Sequence, residues 1–147
     1  MRKADFLLVL LIAVIAGWLA HFFNLNYGQI ASDSLTVISI ILAIYMASIG
    51  GLMGSPLSAR MKGIPDNQQS YRSQLGRLVS YFKWAVFDSI LTIILTSIFR
   101  LLPIPSAPFP EWYCLLSAVC IAAFASNFVF TIIVFLFILN RQVWESQ

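Results

Sequence analysis

The chain has 147 residues, 60% of them hydrophobic and 10% charged, whereas soluble domains carry roughly a quarter charged residues. With 14% aromatics and so little charge it is not disordered, and 7 Gly and 2 Cys exclude a collagen-like or disulfide-framework protein. The formal charge of +3 and pI near 9.1 would suggest nucleic acid in a soluble protein. Here the basic residues flank apolar segments and read as an orientation signal, so lipid is the expected partner and nucleic acid is not.

Residues 4–23 form the first apolar run, about 30 Å as a helix. Arg2 and Lys3 precede it, as they would in a secretory signal. The run is longer than a typical signal core and lacks a small-x-small cleavage site, so a retained span is expected. Ala13 and Gly17 lie one turn apart on it, and His21, the single histidine, falls near its end. In the short connection that follows, Ser32 or Asp33 is suited to cap the next helix.

The second run, 34–54, places Ser39, Ala43, Ala47 and Gly51 at four-residue spacing, with Gly50 and Gly54 on an adjoining face. Small side chains let helix backbones approach closely, so this reads as a packing seam. The partner helix can belong to the same chain or to a second copy.

Residues 55–83 form the one sizeable polar connection. Pro65 and Asp66 read as a helix start. Tyr71, Leu75, Leu78, Val79 and Phe82 then recur on one helical face. That pattern predicts an amphipathic segment lying on the membrane or running as a stem into the third span. Arg60, Lys62, Arg72 and Arg77 are its candidate contacts to a cytosolic protein or to lipid headgroups.

The third run, 84–102, carries Asp88, Thr92, Thr96 and Arg100 every four residues. Asp88 falls about 6 Å inside the apolar stretch, where a carboxylate needs a partner, water or a cavity. One reading is a polar strip that lines a water-filled path or forms a buried hydrogen-bonded seam. The plainer reading is that Asp88 hydrates locally and each Thr bonds its own i−4 carbonyl. Pro103, Pro105, Pro108 and Pro110 then make a stiff link, and Pro110 and Glu111 suit a new helix start.

The fourth run, 112–139, is long enough to tilt. It holds a shorter small-residue seam at Ala118, Ala122 and Ser126, and an amide, Asn127, that needs several hydrogen-bond partners if buried. Residues 140–147 form the tail.

Topology follows from the cations. Arg2, Lys3, Arg60, Lys62, Arg72, Arg77, Lys83 and Arg141 share one side and only Arg100 takes the other. Both termini and the 55–83 loop are therefore expected in the cytoplasm, in a plasma or inner membrane. Trp18, Tyr27, Trp112 and Tyr113 are expected at the outer interface, and Tyr81, Trp84 and Trp144 at the inner one.

No catalytic motif is present: there is no P-loop, G-x-G-x-x-G or H-E-x-x-H. Cys114 and Cys120 lie about 9 Å apart along one helix, too far to pair. One His and scattered carboxylates make no metal site. The expectation is a single-domain, all-α, four-helix membrane bundle over residues 1–147, without enzyme activity, cofactor or metal. It should self-associate and alter membrane permeability, as a small channel or pore-forming effector. The alternative is a non-conducting anchor or accessory subunit that docks a cytosolic protein through its basic loop. A small-solute transporter, with Asn127 and Thr96 near the midplane, comes third.

Overall fold

The computed structural model describes residues 3–63, 65–66, 69–103 and 110–145. The described chain is helical except for one two-stranded hairpin. α1 spans Lys3–Phe22, α2 Ala31–Met53, α3 Pro56–Gly63, α4 Gln74–Leu101 and α5 Glu111–Glu145; β1 (Pro65–Asp66) and β2 (Gln69–Ser73) pair antiparallel between α3 and α4. α1, α2, α4 and α5 are long and apolar enough to cross a membrane.

α5 is the central post. α1 and α4 both pack along it, and α2 packs on α4. The end carrying residue 3, the hairpin and residue 145 is here the terminal end; the other is the turn end. Two apolar clusters fill the interior. One, at the terminal end, is centred on Tyr45, Leu78, Phe82, Ala85 and Phe130. The other, at the turn end, is built from Tyr27, Phe99, Tyr113 and Cys120. Large apolar side chains such as Leu11, Val14, Ile44, Phe87 and Leu136 face outward. An exterior this oily suits hydrocarbon and not water.

Several sequence expectations change. Pro65 and Asp66 do not start a helix: they pair with β2, and the helix begins at Gln74. Ser73 caps it, its Oγ accepting the Gly76 N–H at 3.2 Å. The predicted stem is thus only the first turns of α4, which bury Leu78 and Phe82 and leave Val79 exposed. The bundle itself is all-helical as expected, and the short pairing is confined to the connection between α3 and α4. Ser32 and Asp33 do not cap α2; Ile30 holds the N-cap position, with no side-chain cap bond. The presumed tail continues α5 as far as Glu145. Glu111 opens α5 as expected, whereas most of the proline-rich link, residues 104–109, lies outside the described residues.

The turn from α1 into α2 is fixed by its own backbone bonds. The Leu25 N–H reaches the Ala20 carbonyl at 2.9 Å and the Asn24 N–H reaches His21 at 3.2 Å. This is a Schellman end, with Asn24 in the left-handed region at φ 49°. It reverses the chain and delivers Tyr27 to the interior.

Candidate functional site

The polar side chains of the bundle form three tiers. At the turn end Tyr27, 0% exposed, joins three helices. Its backbone N–H donates to Ser117 Oγ on α5 at 2.8 Å, and Ser117 donates to the Leu25 carbonyl at 2.7 Å. Its hydroxyl lies 2.8 Å from Thr96 Oγ1 on α4 and 2.5 Å from Ser34 Oγ on α2. Ser34 donates its proton to the Ala31 carbonyl at 3.0 Å. The direction that satisfies every hydroxyl runs from Thr96 to Tyr27 to Ser34 to that carbonyl. The Tyr27 ring stands edge-on to Phe99, with centroids 5.5 Å apart.

The middle tier lies between the two apolar clusters. Asn127 is 0% exposed. Its Nδ2 donates to Thr92 Oγ1 at 2.8 Å and to the Ala123 carbonyl at 3.0 Å. Its Oδ1 accepts from Ser89 Oγ at 2.6 Å. Thr92 donates to the Asp88 carbonyl at 2.8 Å. One turn nearer the terminal end, Tyr45 of α2 meets Thr131 of α5 at 2.7 Å; Thr131 donates to the Asn127 carbonyl at 2.7 Å, so Tyr45 is the donor. Asp88 accepts from Ser126 Oγ at 2.7 Å. That is one described donor for a carboxylate with room for about four.

At the terminal end Tyr81 donates to the Asp5 carboxylate of α1. Arg77 donates to the Tyr81 hydroxyl at 3.1 Å and lies 3.9 Å from Asp5. Its guanidinium also sits 5.3 Å from the Phe137 ring centre on α5. This cluster ties α1, α4 and α5 together.

Thr92 and Thr96 are fully buried and bonded inside one protomer, Asp88 is half-buried between α4 and α5, and Arg100 is exposed and apart from them. Thr92 bonds its i−4 carbonyl, as the plainer reading expects, while Thr96 serves Tyr27 instead. Within one protomer Thr92 and Thr96 belong to a hydrogen-bonded seam. Ser39, Ala43, Ala47 and Gly51 are all exposed on α2, and a Cβ added at Gly50, Gly51 or Gly54 would meet nothing within 4 Å. The other small seams meet each other: a Cβ at Gly17 would lie 3.2 Å from Ala122 Cβ and 3.4 Å from the Ala118 carbonyl oxygen. Lys62 is exposed on α3. Arg77, expected as a docking contact, is drawn inward with a side chain only 11% exposed. The side chains of Arg60 and Arg72 lie outside the described residues. Tyr27, Tyr81 and Tyr113 are buried inside the bundle, while Trp18, Trp84 and Trp112 face outward.

Sequence reading missed Tyr27, Tyr45, Ser89 and Ser117. Tyr81 had a local signal, since Arg77 stands four residues before it on a helix. Both cysteines are free thiols, and among the described residues no group of three His, Cys, Asp or Glu could hold a metal ion. No family model, curated protein or solved structure matches the chain.

Proposed function

We propose that this chain is a non-conducting, multi-pass membrane anchor. It self-associates through α2 and offers α3, the hairpin and its termini to the cytosol. The observation that carries this reading is the fate of the intramembrane polar groups. Thr92, Thr96 and Asn127 are each 0% exposed and bonded to neighbours in the same protomer, so they are not available to line an aqueous path. Self-association is supported by the uncovered small-residue face of α2, the one such seam without a described partner in its own protomer. Orientation rests on the clustering of Lys and Arg at the terminal end. There α3 and the hairpin pack against α4, with Met61 buried. The basic loop therefore presents a folded ledge with Lys62 on its surface.

The test is ion flux into vesicles holding the purified protein. The expected result is a rate equal to empty vesicles for the native chain and for Asp88→Ala alike. Charge reversal at Arg60 and Lys62 should in parallel release a cytosolic protein that co-purifies with the native chain. Flux that Asp88→Ala alters would overturn the anchor and restore the permeability reading. Recovery of no co-purifying protein would leave no case for docking.

A further inference from the structure

Asp88 differs from the other polar groups between the helices. Tyr27, Tyr45, Thr92 and Asn127 are matched by neutral partners. An ionised Asp88 has a single described donor, Ser126 at 2.7 Å, and room for about four. It lies at the middle of the Leu75–Leu101 span, the depth at which a bare charge is most costly. No cation offsets it among the described residues, where the ion pair joins Arg77 to Asp5, about three turns nearer the terminal end. Lys83 is exposed on another face of α4. α5 has no ionisable side chain between Cys120 and Arg141, and α1 has none between Asp5 and His21. α2 brings Tyr45, whose hydroxyl proton goes to Thr131.

The contact with Ser126 serves either protonation state of Asp88. Ser126 has one proton and two acceptors within reach, Asp88 at 2.7 Å and the Ala123 carbonyl at 2.8 Å. Beside a carboxylate that proton is shared. Beside the neutral acid, Asp88 donates to Ser126 Oγ, Ser126 donates to Ala123, and each contact carries its own proton. Neutralisation thus removes the charge and completes the hydrogen bonds in one step.

We propose that Asp88 is an intramembrane proton-binding site, held by the folded bundle as the neutral acid that donates to Ser126. α4 and α5 then meet without a charge between them. Asp88 is half-buried, and Phe87 and Leu91 on the same stretch of α4 face outward, so the acid is open to an apolar electrophile arriving through lipid. A carbodiimide is the matching class. The carboxyl proton passes to one nitrogen, the carboxyl oxygen bonds to the central carbon as one C=N double bond becomes single, and the acyl group then migrates to nitrogen as a stable N-acylurea. Nothing is oxidised and nothing leaves. Such a site rests on the multi-pass reading and not on the absence of conduction.

The first measurement is the infrared difference spectrum of the full chain in ester-free detergent at neutral pH, native minus Asp88→Asn. A carboxylic-acid C=O band present in the native chain and missing from the variant is expected; carboxylate bands in its place overturn the proposal. In parallel, dicyclohexylcarbodiimide is added to each protein in lipid nanodiscs and the intact mass is read. The native chain should gain one adduct, located at Asp88 by fragmentation, and Asp88→Asn none. No adduct on the native chain, an adduct located elsewhere, or labelling that survives in Asp88→Asn also overturns the proposal. Thermal unfolding checks that the variant keeps the bundle, and fragmentation of the native adduct does not depend on it. Ion flux in the vesicle assay, which would overturn the anchor, leaves both expected results unchanged.

Discussion

Tyr27 and Asn127 are both wholly buried, yet their removal should differ in effect. The Tyr27 hydroxyl is the described partner of Thr96 and lies between it and Ser34. Around Asn127, Ser89 also reaches the Ala85 carbonyl at 2.9 Å, and Thr92 also reaches that of Asp88. Tyr27→Phe is therefore expected to destabilise the bundle by about 1–3 kcal/mol, the cost of buried groups left unmatched. Asn127→Ala should cost on the order of 0.6 kcal/mol, as for other interhelical bonds in membranes. Equilibrium unfolding in mixed micelles, followed by circular dichroism, ranks the two; the reverse order would refute this account. The need of Asn127 for partners was legible from its chemistry and position. The role of Tyr27 was not, because its bonds reach residues 69 and 90 positions away. A tyrosine in a short polar connection looks the same whether it faces a headgroup or the interior.

At the level of helices, the four apolar runs were legible to within a few residues at most ends, because a span must be long and oily to exist at all. Helix pairing was not legible. Gly17 on α1 and Gly51 on α2 sit in similar small-residue patterns, but one is pressed against Ala122 and the other touches nothing. Such a pattern allows close approach without naming what approaches. Gly17→Val should push α1 from α5 and destabilise the protomer by about 1–3 kcal/mol, as overpacking does. Gly51→Val should leave protomer unfolding unchanged while dissociating oligomers on sedimentation. If Gly51→Val instead destabilises the isolated protomer, α2 has an internal partner. The start of α4 was misjudged for a related reason. The apolar stripe through Leu75, Leu78 and Phe82 is a true helical face, and Tyr71 extends the same period by chance into a strand.

For the molecule as a whole, polar material is layered: a hydroxyl and amide tier lies between two apolar clusters, inside an oily exterior. A fold with its oil outside and its hydroxyls inside needs a solvent that does not compete for hydrogen bonds. The same layering yields a test of orientation. In a background with Cys114 and Cys120 replaced by Ala, a cysteine at Lys62 should react with a membrane-impermeant maleimide only after the cells are opened. A cysteine at Trp112 should react in intact cells. The opposite pattern would invert the topology and move the α3 ledge out of reach of any cytosolic protein.

The packing of α1 on α5 has a consequence for biosynthesis. The ribosome makes α1 before the helix it leans on, which follows only after α2, α3 and α4. Until then the glycine notch of α1 is empty, and Tyr27 has no Ser117 to receive its amide proton. Assembly must therefore wait for α5, and a nascent chain stalled before that point holds helices that have not yet docked. In this interval the notch at Gly17 is a surface that only α5 will cover.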